Sequence, residues 1–214
     1  MPTMHDGAPL LDRDLIFARL AARRDAASLK GDGDLNPGWR AAGGAPGRSL
    51  KRAAVLMPIV EHGHALHVLL TRRTHGLRTH AGQISFPGGR IDADDPHPVD
   101  AALREAQEEI GLPRAHVEIA GVLDPYSTAT GYLITPVVGL VQPGFPLKPN
   151  PAEVAEAFEV PLGFLLDPSN RRRHSRVWQG KRRYYYAMPY HGHYIWGATA
   201  AMLVNLADIL RVTD

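Results

Sequence analysis

The sequence predicts an α/β fold in which a mixed β-sheet is sandwiched between α-helices, an α/β/α arrangement. Short apolar, β-branched segments lie on both sides of one amphipathic helix, and a second, strongly apolar helical segment closes the chain. The third indication is size: 214 residues, 44% hydrophobic and 21% charged, suit one good-sized core with extensions.

The elements follow in order. Residues 14–28, "DLIFARLAARRDAAS", bring Leu15, Ile16, Leu20 and, less strictly, Ala27 near one helical face, with Asp12 or Asp14 as cap. "GDGDLNPGWRAAGGAPGRS" is dense in Gly and Pro and reads as a linker or long loop. Its Asp32, Asp34 and Asn36 imitate a calcium loop, but Pro37 stands where glycine is needed and Gly43 where a bidentate Glu is needed. Residues 1–48 are therefore expected as an N-terminal extension and 49–214 as the main domain. "AAVLMPIV" and "ALHVLLTRR" are neighbouring strands joined by a turn at "EHGH". Beyond the amphipathic helix, "VEIAGVLD" and "LITPVVGLV" are further strands, and "PAEVAEAFEVPLGFLL" mixes a helical turn with a strand. "RVWQG" and "RRYYYAMPY" form a hairpin, and "WGATAAMLVNLADIL" is the last helix.

Composition excludes several chemistries. Without cysteine there are no disulfides, thiolate metal sites or cysteine nucleophiles. The net charge of +2, from 24 basic and 22 acidic residues, gives no general reason to expect nucleic acid or an anionic membrane as partner. No apolar run approaches the roughly 18–20 residues that cross a bilayer, and no signal-peptide order opens the chain, so a cytoplasmic address is expected.

The helix expected over Val99–Ile110 is the unusual element. Pro98 suits its first turn and Gly111 its end. At about 100° per residue, Val99, Leu103, Ala106 and Ile110 share an apolar face, while Glu105, Glu108 and Glu109 form a stripe beside it. Such like charges repel by a few tenths of a kcal/mol per pair on an exposed helix, a cost that a cation offsets. Carboxylates without Cys or a His cluster favour hard ions such as Mg2+ or Mn2+. The preceding "FPGG" lets backbone approach a ligand closely. The chemistry suggested is metal-assisted hydrolysis of a phosphoanhydride. Taken alone, an acidic face is ordinary solvated surface, and Arg104 can pair with Glu108.

The order of these residues resembles the box of the Nudix hydrolase superfamily, G-x5-E-x7-R-E-U-x-E-E-x-G-U, where U is bulky and aliphatic. Arg104, Glu105, Glu108, Glu109, Gly111 and Leu112 match, with small Ala106 at the first U. Counted from Gly89, the first acid is Asp95 rather than Glu, and eight residues instead of seven separate it from Arg104. The resemblance implies a Nudix fold, Glu105 and Glu109 as leading metal ligands, Glu108 assisting, the Gly89 carbonyl as a further ligand, and Asp95 as a loop brace. Arg104 is carried over with the catalytic group.

Upstream, "LLTRRTHGLRTHAGQISFPGG" resembles the signature of the coenzyme A pyrophosphatase branch, L-L-T-x-R-[SA]-x3-R-x3-G-x3-F-P-G-G. Leu69, Leu70, Thr71, Arg73, Arg78, Gly82, Phe86, Pro87, Gly88 and Gly89 fall at its spacing, and only Thr74 departs. "YIWGATAAML" also looks like the C-terminal segment of that branch. The resemblance implies cleavage of coenzyme A or its thioesters to 3′,5′-ADP and (acyl-)4′-phosphopantetheine. Arg73, Arg78, Phe86 and Gly88 would contact substrate, the two arginines by charge-assisted hydrogen bonds to phosphate. Two alternatives stay open: hydrolysis of another nucleoside diphosphate derivative, and a non-catalytic nucleotide- or RNA-binding module.

Attack by water needs a proton acceptor. Glu108, Glu153 and Glu156 are the candidates, the last two on a loop-to-helix stretch where each, singly, is an ordinary helix-start acid. The basic, aromatic run from Arg171 to Tyr186 is expected as a solvated hairpin, with recognition of an acidic small molecule second. His62, His64, His191 and His193 form short pairs without a third ligand at a telling spacing, and are expected on the surface. The partner expected is a small nucleotide-like substrate, with no membrane or nucleic acid and with a homodimer left open.

Overall fold

The computed structural model describes residues 11–23, 28–37, 49–77, 79–178 and 180–211. Along the chain run α1 (Arg13–Ala21), β1 (Lys30–Gly31), β2 (Lys51–His62), β3 (Ala65–Arg73), β4 (Ile84–Ser85), β5 (Gly88–Arg90), α2 (Pro98–Ile110), β6 (Val117–Val122), β7 (Tyr126–Ser127) and β8 (Tyr132–Val141). They are followed by β9 (Val154–Pro161), α3 (Leu162–Leu166), β10 (Arg172–Trp178), β11 (Lys181–Tyr190), β12 (His193–Trp196) and α4 (Ala198–Leu210).

Strands β1 to β9 form one mixed sheet, and β10–β12 a separate antiparallel one. The centre is β2, paired in parallel with β8 from Lys51↔Tyr132 to Val60↔Val141. Its apolar residues alternate between two cores, as period-2 geometry requires of a strand covered on both faces. Ala54, Leu56 and Val60 meet α2, whereas Met57 and Ile59 meet α1, α3 and α4. Pro58, an unwelcome residue in a central strand, falls where the antiparallel partner of β2 changes from β5, which ends at Val55, to β3, which begins at Ile59. The mixed sheet between helices is therefore as the sequence predicts.

Several local expectations need correction. Helix α1 ends at Ala21, where the Ala22 N–H bonds back to Ala18, so it is shorter than residues 14–28; Ala27 lies outside the described residues. Asp12 is the cap, accepting from the Leu15 N–H, and Ile16 and Leu20 are buried. The start of the supposed linker is anchored: Lys30–Gly31 pairs in parallel with Tyr126–Ser127. "FPGG" is not only a loop, because Gly88–Arg90 pairs with Ala53–Val55. "HYIW" is strand β12, and Gly197, at φ +67°, turns the chain into α4. Glu156 lies within β9 rather than at a helix start.

Candidate active site

Helix α2 carries the glutamates to one end of the β2–β5 ladder. Its apolar face (Ala102, Leu103, Ala106, Ile110) is buried against the sheet, and Gly111, at φ +69°, ends it with the Gly111 N–H on the Gln107 carbonyl. The exposed carbonyls of the last turn are taken by the next loop: Asn150 N–H donates to Glu109 and Lys148 N–H to Ile110. That loop leads to Glu153.

The three glutamates differ in burial. Glu109 is 2% exposed, the Glu105 side chain 16%, and that of Glu108 57%. Glu109 Oε2 accepts the Gly88 N–H at 3.2 Å, and Oε1 lies 3.7 Å from Arg73 Nη1. Burial pushes the Glu109 carboxyl up to about 7; Gly88 and Arg73 oppose this, and Glu105 and Glu153 add to it. Burial also raises Glu105, against the pull of Arg104. Burial thus disfavours the ionised form of both carboxyls in the metal-free protein, and their oxygens are the donors that a hard divalent cation prefers. The donor set therefore fits Mg2+ or Mn2+. The trio does not converge on one point, however: among the described residues, the only three such groups with ligand atoms mutually within 4.8 Å are elsewhere. Glu108 instead turns to Arg104 at 3.3 Å.

Arg104 organises the loop. It donates to both Asp95 oxygens at 3.1 and 2.9 Å, to the Arg90 carbonyl, to Glu105 at 3.0 Å and to Glu108. Asp95 in turn accepts the Asp92 N–H at 2.8 Å. The fork of a guanidinium matches a carboxylate in two bonds, so Asp, in the longer loop, still reaches Arg104. Arg104 thereby ties Glu105 and Glu108 to the loop that carries Asp95. Gly89 has a steric reason: a Cβ there would lie 2.4 Å from the Glu105 carboxylate. At Gly88 a Cβ would meet the Ala54 carbonyl oxygen at 2.5 Å.

Strand alternation decides which upstream residues face this site. Leu69, Thr71 and Arg73 share the α2 side of β3, and Arg72 points the other way, to Glu156 at 3.3 Å. A register shift opposite Arg72/Arg73 does the same for β9. Glu156 consequently sides with Arg72 and His193, away from the glutamates, whereas Glu153 acts electrostatically on both Glu105 and Glu109. Phe86 is 2% exposed, packed in the core, and its remaining surface lines the cavity beside the glutamates. Arg78 lies outside the described residues.

Beside the glutamates is a cavity of about 410 Å³ whose lining includes Arg73, Gly88 and Gly89. Its far wall comes from segments that the sequence did not connect with the site. Arg176, Trp178 and Arg183 of the hairpin and Trp196 of β12 line it, with the Arg183 guanidinium 3.9 Å from the Trp178 ring and Arg176 5.0 Å from that of Trp196. The hairpin is thus a pocket wall rather than simply solvated surface. Asp32 and Asn36 line the cavity too. Asp32 accepts from the Tyr126 hydroxyl and the Ala129 N–H, both at 2.6 Å, and Asn36 pairs with the Tyr184 backbone through bonds of 3.0 and 2.8 Å. The Asp-x-Asp-x-Asn spacing that imitates a calcium loop is an anchored turn; only its polar side chains beside glycine hinted at this.

The NUDIX domain family matches residues 50–179. A relative called "Uncharacterized Nudix hydrolase NudL" in Photorhabdus laumondii is 44% identical over 162 residues, 76% of this chain and 86% of its own. One of the same name in Pectobacterium atrosepticum is 40% identical over 177 residues, covering 79% and 86%. A crystal structure of a Nudix hydrolase from M. Smegmatis, RenU, aligns over 54% of this chain and 73% of its own, with 26% identity and a TM-score of 0.46. With its box on α2 and a family match over most of its length, the chain belongs to the Nudix family and is a Nudix hydrolase.

Proposed function

We propose that the protein hydrolyses the pyrophosphate bond of coenzyme A or its thioesters, giving 3′,5′-ADP and (acyl-)4′-phosphopantetheine. The observation that carries this reading is the shared border of two compartments: Arg73, Gly88 and Gly89 line the cavity and also adjoin the Glu105–Glu109 cluster. Arg73 and both glycines belong to the stretch that resembles the coenzyme A signature. A substrate with its pyrophosphate near Arg73 has room in the cavity for a large group on one side.

Nudix hydrolases generally use divalent ions such as Mg2+ or Mn2+. In this reading Glu105 and Glu109 hold the ion, with Glu108 and the Gly89 carbonyl assisting. The bound ion would neutralise pyrophosphate charge and acidify water. Arg73, at the border of the cavity, binds phosphate oxygens through its guanidinium. Glu153 is the preferred proton acceptor because its charge acts on both buried glutamates. Arg104 positions Glu105 and Glu108. Residues 49–214 form the catalytic unit, and the segment around Asp32 and Asn36 completes its pocket.

The test is incubation with coenzyme A and Mg2+ or Mn2+, with products identified by mass spectrometry. Metal-dependent 3′,5′-ADP together with 4′-phosphopantetheine is expected; intact coenzyme with both metals overturns the substrate assignment. The arginine and tryptophan wall also suits other nucleotides, through stacking and phosphate contacts. A panel of dinucleotides and nucleotide sugars therefore accompanies the assay.

A further inference from the structure

In the sequence His62 has only His64 nearby and no third ligand at a telling spacing, but the fold brings other groups to it. Val60 pairs with His67 and His62 with Ala65 across β2 and β3, while His67 pairs with Pro161 and Leu69 with Glu159 across β3 and β9. His62, His67 and Glu159 are therefore diagonal neighbours on three adjacent strands. Side chains two residues apart share a face, so all three project on the α2 side of the sheet, where Val60 and Leu69 are buried. His62 is seven residues beyond Val55, the partner of Gly88, which places the trio about 23 Å along β2 from the glycine pair at about 3.3 Å per residue. It is separate from the Nudix carboxylates.

The geometry is close to that of a metal site. One ring nitrogen from each histidine and one Glu159 oxygen lie mutually within 4.8 Å. Three atoms so spaced fall within about 2.8 Å of a common point, against about 2.0–2.2 Å for zinc bonds to imidazole or carboxylate, so shifts of under about 1 Å close the site. His62 Nε2 already lies 2.7 Å from Glu159 Oε2, and the two imidazole rings meet edge to face with centroids 5.4 Å apart. His67 Nδ1 is buried without a hydrogen-bond partner among the described residues. A lone exposed His–Glu contact needs no metal, but a third ligand beside it whose buried Nδ1 has no partner is a costly arrangement, which ligation through that nitrogen relieves.

We propose that His62, His67 and Glu159 bind a zinc-type divalent transition-metal ion, with a fourth position open to water. Two imidazoles and one carboxylate suit Zn2+, Co2+ or Ni2+ far better than Mg2+, which prefers an all-oxygen shell. Two glutamates hold the catalytic ion at one end of β2, and this borderline-soft site lies at the other.

The test is a Co2+ titration of the tag-free, metal-stripped full chain, following the visible d–d absorption of nitrogen-bound, low-coordinate cobalt. One equivalent should produce that band, stoichiometric Zn2+ should abolish it, and tenfold Mg2+ should not. His67→Ala and Glu159→Gln should each weaken Co2+ affinity by at least about tenfold, since even outer-shell changes cost 10–100-fold. Glu109→Gln should leave the band unchanged. His62→Ala, at a more exposed position, supplies the comparison should His67→Ala not fold. No band in the wild type, a band unaffected by the histidine variants, or a band lost in Glu109→Gln overturns the site.

Discussion

The burial of Glu109 should be measurable as a pH-dependent penalty in the metal-free protein. The carboxyl is 2% exposed and is pushed from its ordinary 4.5 to about 7, with desolvation as the largest cause. Between those values the folded state binds more protons than the unfolded chain, so stability falls as pH rises from 4.5 to about 7. At 1.36 kcal/mol per pH unit over a gap of about 2.5 units, the ionised group costs about 3 kcal/mol at pH 8. Glu109→Gln removes that charge, keeps a side-chain oxygen for the Gly88 N–H, and should stabilise the chelator-treated protein at pH 8. For a chain of this size the change is roughly 6–12 °C in Tm. Near pH 4 the difference should vanish. Saturating Mn2+ should stabilise the wild type markedly and the variant little, while turnover falls by orders of magnitude in the variant. Thermal unfolding with and without chelator at both pH values decides the matter. A variant as stable as the wild type at pH 8, or less stable, refutes the reasoning that uncompensated charge is stored at this position for a cation.

Arg73→Ala should raise KM about 10–100-fold, the loss of one charge-assisted hydrogen bond of roughly 1.5–3 kcal/mol, with a smaller fall in kcat; unchanged steady-state kinetics remove Arg73 from the site. Gly89→Ala should weaken metal binding but keep stability within about 1 kcal/mol, because the three atoms nearest the new methyl all belong to the movable Glu105 carboxylate. Gly88→Ala meets fixed backbone and should cost several times more, so equal denaturation midpoints would contradict this steric account. The Arg104 guanidinium and the Asp92 N–H hold the Asp95 carboxyl below the usual carboxylate range. Its stabilisation is therefore present above the ordinary value near 3.8 and lost as pH falls through the lower folded value. Asp95→Asn should consequently be less stable than wild type at pH 7, with the gap narrowing in strong acid; a constant gap across that range points to lost packing instead.

The fold class, the central helix and its stripe of glutamates were legible in the residues alone. These rest on local periodicity: Val99, Leu103, Ala106 and Ile110 at helical spacing, β-branched runs at strand length, and Gly111 as the helix stop. The likeness of its box to the Nudix motif, not spacing alone, pointed to Asp95 as the loop brace, and Asp95 accepts two bonds from Arg104. Tertiary structure decided whatever depended on contacts between distant segments. A single bulge opposite Arg72/Arg73 separates Glu156 from Glu153, and no residue type marks it. Strand pairing turns Asp32 and Asn36 from a supposed linker into a pocket wall and brings Trp196 and Arg176 to the same cavity. His62, His67 and Glu159 span 97 positions yet sit on adjacent strands. Local sequence carries propensity and period, but the register between strands is set by the packing of whole faces, and that register chooses which distant side chains meet.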